Sequence, residues 1–194
     1  MRLLLSLLLA TGLYGTSSGI YIEGNIGTSL SKDQEINSST YEYETGALGS
    51  LALGYQMDLW RFEVEGSHKQ NNLSAIKAND TYELSGDLIR QSSLLNIYYN
   101  GYNSSNLVSA IGLGCGVSNL KTNNLNVSGV SVKDIDANNI FTYQASFSVG
   151  YMLDEDWTLS LKYIYFKTSE YEIESVTQKE MSDNIVSLGI RYLF

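Results

Sequence analysis

At 194 residues the chain accommodates one domain and is too short for a barrel joined to a second module of ordinary size. Its 21 acidic and 12 basic residues leave a net charge of -9, which excludes a general attraction to nucleic acid phosphates. Proline is absent and tyrosine occurs 15 times, a balance suited to long regular strands, since proline removes a ladder donor and tyrosine favours pleated surfaces.

In chain order, the first element is an address. Met1 and Arg2 form a short positive region, Leu3 to Leu13 an apolar stretch and Gly15 to Gly19 a run of small residues. This is the pattern of a signal peptide, with cleavage expected between Gly15 and Ile20, so residues 1–19 are assigned to the signal and 20–194 to the mature domain. The apolar stretch falls short of the ~20 residues of a membrane-spanning helix. The sole cysteine, Cys115, lies too far along to be a lipoprotein's acylated residue and has no partner for an intramolecular disulfide.

Beyond Ile20, runs with period-two alternation recur to the last residue and predict eight strands: 20–31, 43–56, 60–70, 89–100, 106–118, 140–152, 157–168 and 185–194. Each is long enough to cross a bilayer at a tilt, which takes roughly 9 to 11 residues. The connectors alternate in length. Those after the second, fourth and sixth strands are short (Met57 to Leu59, Gly101 to Ser105, Leu153 to Asp156), and the others, 32–42, 71–88, 119–139 and 169–184, are long. The expected fold is therefore all-β: an eight-stranded antiparallel up-and-down transmembrane β-barrel with short periplasmic turns and four long extracellular loops.

Alternation yields two columns per strand and leaves open which faces inward. The last strand sets Val186, Leu188, Ile190, Tyr192 and Phe194 against Ser187, Gly189, Arg191 and Leu193. Trp60, Phe62, Val64 and Gly66 similarly oppose Arg61, Glu63, Glu65 and Ser67. Aromatics flank the short turns (Tyr55 and Trp60, Tyr151 and Trp157), as an interfacial girdle requires. The polar column is rich in Gly and Ser, small enough for a narrow lumen. Both features select the membrane barrel over a soluble sandwich.

Ser187, Gly189, Tyr192 and Phe194 follow the spacing polar, x, Gly, x, x, aromatic, x, aromatic at the chain end. This looks like the assembly signal of bacterial outer-membrane barrels, and the resemblance implies the barrel insertion machinery as a partner. Gly54-Tyr55, Arg61-Phe62-Glu63-Val64-Glu65-Gly66, Gly112-Leu113-Gly114, and Tyr143-Gln144-Ala145 leading to Gly150-Tyr151 resemble the OmpA-like and opacity or surface-antigen families of small barrels. Asn106-Leu107-Val108 departs from the Pro-Tyr that often opens the fifth strand of such proteins.

The candidate site residues are charged and share the lumen column: Glu23, Arg61, Glu63, Glu65, Arg90, Lys162 and Arg191. They are expected to form a buried ion network that plugs the bore rather than an acid/base pair, with Glu23 meeting Arg191 where the first and last strands close. A single histidine, His68, excludes a multi-histidine metal site, and no metal or cofactor is expected. Ser67 and His68 are adjacent and so face opposite ways, which argues against a nucleophile-base pair. Cys115 reads as a small apolar group on the lipid side. Asn-x-Ser/Thr triplets follow from composition, and GxxxxGK[ST], HExxH and GxSxG are absent.

The four loops hold much of the acid, including Asp33, Glu83, Asp134, Asp136, Glu170 and Asp183. The expected role is a non-enzymatic outer-membrane structural or surface-antigen barrel whose acidic loops serve surface recognition or adhesion. A lipid-modifying enzyme and a narrow ion channel are the alternatives. Expected partners are outer-membrane lipids and lipopolysaccharide, and a host or neighbouring-cell ligand at the loops.

Overall fold

Side chains that alternate between two environments draw this chain into strands almost throughout. The computed structural model describes residues 18–194 apart from 32–33, 37–38, 44, 78–80, 103–105, 128–129, 132–133, 135, 174–175 and 179. The expected signal peptide, residues 1–19, lies almost wholly outside the described residues. The elements are β1 (Gly19–Ser31), β2 (Gln34–Ile36), β3 (Ser39–Tyr43), β4 (Gly46–Met57), β5 (Trp60–Lys77), β6 (Thr81–Tyr102), β7 (Leu107–Val127), β8 (Val130–Ser131), β9 (Asp136–Met152), β10 (Trp157–Thr168), β11 (Tyr171–Ile173), β12 (Val176–Gln178) and β13 (Ser182–Leu193).

Eight of these, β1, β4, β5, β6, β7, β9, β10 and β13, pair antiparallel with both neighbours and close a ring. Closure runs along the β1–β13 seam from Tyr21↔Leu193 to Ser31↔Asp183. The ladder also gives the stagger. Starting at Trp60 and stepping through Tyr99, Ile111, Phe147, Tyr163, Val186, Thr28 and Ala47, it returns to β5 at Gln70, ten residues from its start. Eight strands with that shear tilt at about 40°, so each residue climbs about 2.5 Å along the barrel axis.

Levelled by this tilt, Tyr55, Trp60, Tyr99, Tyr151, Trp157 and Tyr192 fall at one height beside the short turns. Trp60 meets Tyr99 edge-on at 5.0 Å and Trp157 meets Tyr192 at 4.7 Å, which completes a lower aromatic girdle. Above it the exposed column is apolar, with Ile26, Leu53, Val64, Leu95, Leu113, Leu161 and Leu188 all more than half exposed, while charged and amide side chains fill the buried column. Polar inside and apolar outside is the arrangement a lipid solvent imposes.

One expectation needs correction. The segments assigned to long loops are largely strand: β5 continues to Lys77 and β6 starts at Thr81, while β7 reaches Val127 and β9 begins at Asp136. β3 carries on the line of β4 against the far part of β5, and β11 pairs with β12 as a separate hairpin. Above the bilayer the outer face of each strand meets water rather than lipid, while the inner face still buries amide and apolar side chains such as Asn71, Leu120 and Ile140. The apolar outer column therefore disappears from the sequence while the backbone ladder goes on.

Candidate functional site

Because the lumen column is polar and the bore is narrow, the charged side chains meet one another inside. Glu23 on β1 accepts from Lys162 Nζ on β10 at 2.6 Å and from Arg61 Nη1 on β5 at 3.1 Å. Arg61 also donates from Nε to Asn100 Oδ1 at 3.0 Å and lies 4.5 Å from the Tyr98 ring centroid. Glu63 accepts from the hydroxyls of Tyr21 and Tyr98, at 2.8 and 3.0 Å, and from Asn96 Nδ2 at 2.9 Å. Glu65 takes its hydrogen bonds from Asn96 at 2.8 Å and Gln144 at 3.2 Å. All these groups are buried, and every carboxylate has donors, the condition under which a buried charge is tolerated.

Two glycines make this packing possible. Gly54 and Gly112 stand directly opposite Tyr21 and Tyr98, and a Cβ at either would run into the facing ring. The tyrosines therefore lie flat across bare backbone.

The seam pair differs from expectation. Glu23 and Arg191 are register partners, but the carboxylate turns to Lys162 and Arg61. Arg191 instead donates to Thr158 Oγ1 at 3.2 Å and sits 5.6 Å from the Tyr21 ring centroid. Lys162 on β10 and Arg61 on β5, each two strands round the ring from β1, reach the carboxylate across the narrow lumen.

Arg90 belongs to a second, higher cluster. It pairs with Asp183, which also accepts from Lys69 Nζ at 2.8 Å, and its guanidinium lies 3.9 Å from the Phe166 ring centroid. Asp183, expected in an extracellular loop, is fully buried on β13. Between the clusters lies an apolar layer of Leu48, Leu94, Ile164, Phe166 and Ile185, at heights of roughly 15 to 20 Å above the lower girdle. A further apolar group, Leu120, Ala137, Ile140 and Met181 with Leu88, closes the upper end. Sequence reasoning missed Lys69, Asp183 and both apolar layers. Counting on in steps of two from Glu65 would have placed Lys69 inside, and counting back from Ser187 would have placed Asp183.

Two small cavities lie within the lumen. One of about 20 Å³ adjoins Glu23, Arg61, Lys162 and Arg191, and one of about 10 Å³ adjoins Lys69, Arg90 and Glu65. Each has room for about one water molecule, so the arrangement braces the walls and fills the bore.

His68 is exposed on the outer face of β5, and Ser67 points to the lumen side. Cys115 is a free thiol on the outer face. Ser187 and Gly189 line the lumen, while Tyr192 and Phe194 meet edge-on at 4.9 Å within the lower girdle. Among the described residues no cluster of His, Cys, Asp and Glu is arranged to hold a metal ion.

Solved structures share this architecture. Neisserial surface protein A is similar with a TM-score of 0.68 and 15% identity over 91% of this chain and 98% of its own. Outer membrane protein OprG from Pseudomonas aeruginosa matches at 0.63 and 15%, over 93% and 98% of the two chains. The attachment invasion locus protein Ail of Yersinia pestis, in complex with the heparin analogue sucrose octasulfate, matches at 0.53 and 10%, over 92% and 99%. No curated protein sequence matches the chain. The sequence itself matches the outer membrane protein beta-barrel domain over residues 3–194, and with polar lumen, apolar belt and girdle in place, the chain belongs to that family of the bacterial outer membrane.

Proposed function

We propose that this protein is a closed pedestal that carries a recognition surface above the outer membrane, with no catalytic role. The observation that carries this reading is the inequality of its walls. β5, β6 and β7 contain 18, 22 and 21 residues, against 12 each in β10 and β13 and the roughly 9 to 11 that a tilted strand needs to span a bilayer. A barrel built only to sit in lipid has no use for the surplus, and a filled lumen gives the surplus no pore to guard.

The fold is shared by Neisserial surface protein A and the attachment invasion locus protein, which supports a surface role. The net charge of -9 distinguishes this chain from a binder of sulfated polyanions, so its ligand is neutral or cationic, on a host or neighbouring cell. Residues 1–19 serve as the export signal, and Ser187, Gly189, Tyr192 and Phe194 are the segment read by the insertion machinery.

The test pairs two measurements. Shortening β5 and β6 to a tight turn just above Gln70 and Ile89 should abolish cell adhesion while the barrel still shifts on gels with boiling. Planar-bilayer recording of the intact protein should show no sustained openings. Adhesion that survives the truncation, large steady conductance, or a change in lipid A acylation on deleting the gene would each overturn the pedestal.

A further inference from the structure

The outer face of the barrel is not uniform. Over β4 and β5 the lipid-facing side carries a groove whose floor is the bare backbone of Gly49 and Gly66, where nothing lies within 4 Å of an added Cβ. Ile26 and Leu51, 71% and 66% exposed, form its walls, and the exposed His68 and Gln91 stand side by side at its upper end. The groove is shallow and open along its length to the surrounding lipid.

Levelling by the tilt puts the glycines roughly 15 to 17 Å above the lower girdle, and His68 and Gln91 roughly 20 to 23 Å above it. In an apolar band about 25 Å tall, that is the outer leaflet, from upper acyl chain to headgroup boundary. At the same height on the opposite flank, Tyr143, Tyr165 and Val186 cover the wall, so the groove belongs to one side.

Groove and environment match in order as well as depth. The apolar floor lies where chains run, and an imidazole and a carboxamide, each able to donate and accept hydrogen bonds, lie where chains join their headgroup. No cation lines the groove, so it offers ester, amide and hydroxyl recognition rather than phosphate pairing. We infer that this groove docks one acyl chain of an outer-leaflet glycolipid, with His68 and Gln91 bonding the ester or amide that links chain to sugar. It is a binding site without chemistry, since Ser67 contributes backbone to its floor and turns its hydroxyl to the lumen side.

The experiment is native mass spectrometry of the full barrel released from nanodiscs that contain phosphatidylethanolamine and lipid A. The wild type should retain lipid A in preference to phosphatidylethanolamine. Gly49→Leu and Gly66→Leu fill the groove and should lower the retained lipid A by about tenfold. His68→Ala and Gln91→Ala, both exposed and outside the packed lumen, should each weaken retention, while Ala145→Leu on the opposite flank should not. Heat-shifted mobility confirms that each variant is folded. Unchanged retention in the leucine and alanine variants, equal retention of the two lipids, or a two-copy mass that Gly66→Leu abolishes would overturn the assignment, the last by placing a second copy of this chain in the groove.

Discussion

The lower and upper halves of the lumen solve the same problem differently. The lower half spreads three carboxylates, Glu23, Glu63 and Glu65, among Arg61, Lys162, Arg191, two tyrosine hydroxyls and two amides. Among the described residues, the upper half draws Lys69 from β5 and Arg90 from β6 onto Asp183 of β13, which reaches across from the far wall. A network with many donors degrades gradually when a member is lost. A crossbar centred on one carboxylate loses both of these pairs at once.

The largest loss of stability is expected of Asp183→Asn. It should leave Arg90 buried beside a neutral amide and cost about 4 kcal/mol, read as a lowered urea midpoint for the heat-shifted band. Phe166→Ala comes next at about 3 kcal/mol, because it opens the apolar layer and removes the ring beneath Arg90. Glu23→Gln should cost less, about 2 kcal/mol, since Arg61 keeps Asn100 and the ring of Tyr98. If Glu23→Gln proves more damaging than Asp183→Asn, the contrast between network and crossbar is wrong.

Double mutant cycles sharpen the lower half further. Glu23 with Lys162 should show a coupling of about 2 kcal/mol, while Glu23 with Arg191 should show less than about 0.5 kcal/mol despite their facing positions on the seam. Strong coupling at the second pair would mean that the seam, not the cross-lumen contact, neutralises Glu23. Among the single changes the smallest is trimming the β5–β6 extension, which should alter stability by no more than about 1 kcal/mol, as measured by the same urea titration.

The barrel was legible in the sequence because lipid enforces alternation within the bilayer, as Val186 to Phe194 and Trp157 to Tyr165 show. The walls above it were not, because residues such as Asn71, Asn72 and Asn123 pair in strands without any apolar column to reveal them. Arg61, Glu63 and Glu65 could be placed inside by counting in twos, but their partners could not. Which cation reaches Glu23 depends on side-chain length across a closed ring, and that is set by the shear, a property of the whole ladder. The apolar layer escaped notice for a related reason: Leu48, Leu94, Ile164, Phe166 and Ile185 lie on five different strands and become one feature only when levelled by the tilt.

That layer has a consequence for isotope exchange. At its height the wall has lipid outside and packed hydrocarbon inside, so backbone amides near Leu94, Leu95, Ile164 and Phe166 are screened from water on both faces. Their hydrogens should be the last to exchange with deuterium when the barrel sits in a bilayer, later than amides of equal ladder geometry beside the wetter Glu23 cavity. The slowest-exchanging ring would then lie in the outer half of the membrane, nearer the cell surface than the midplane of the strands.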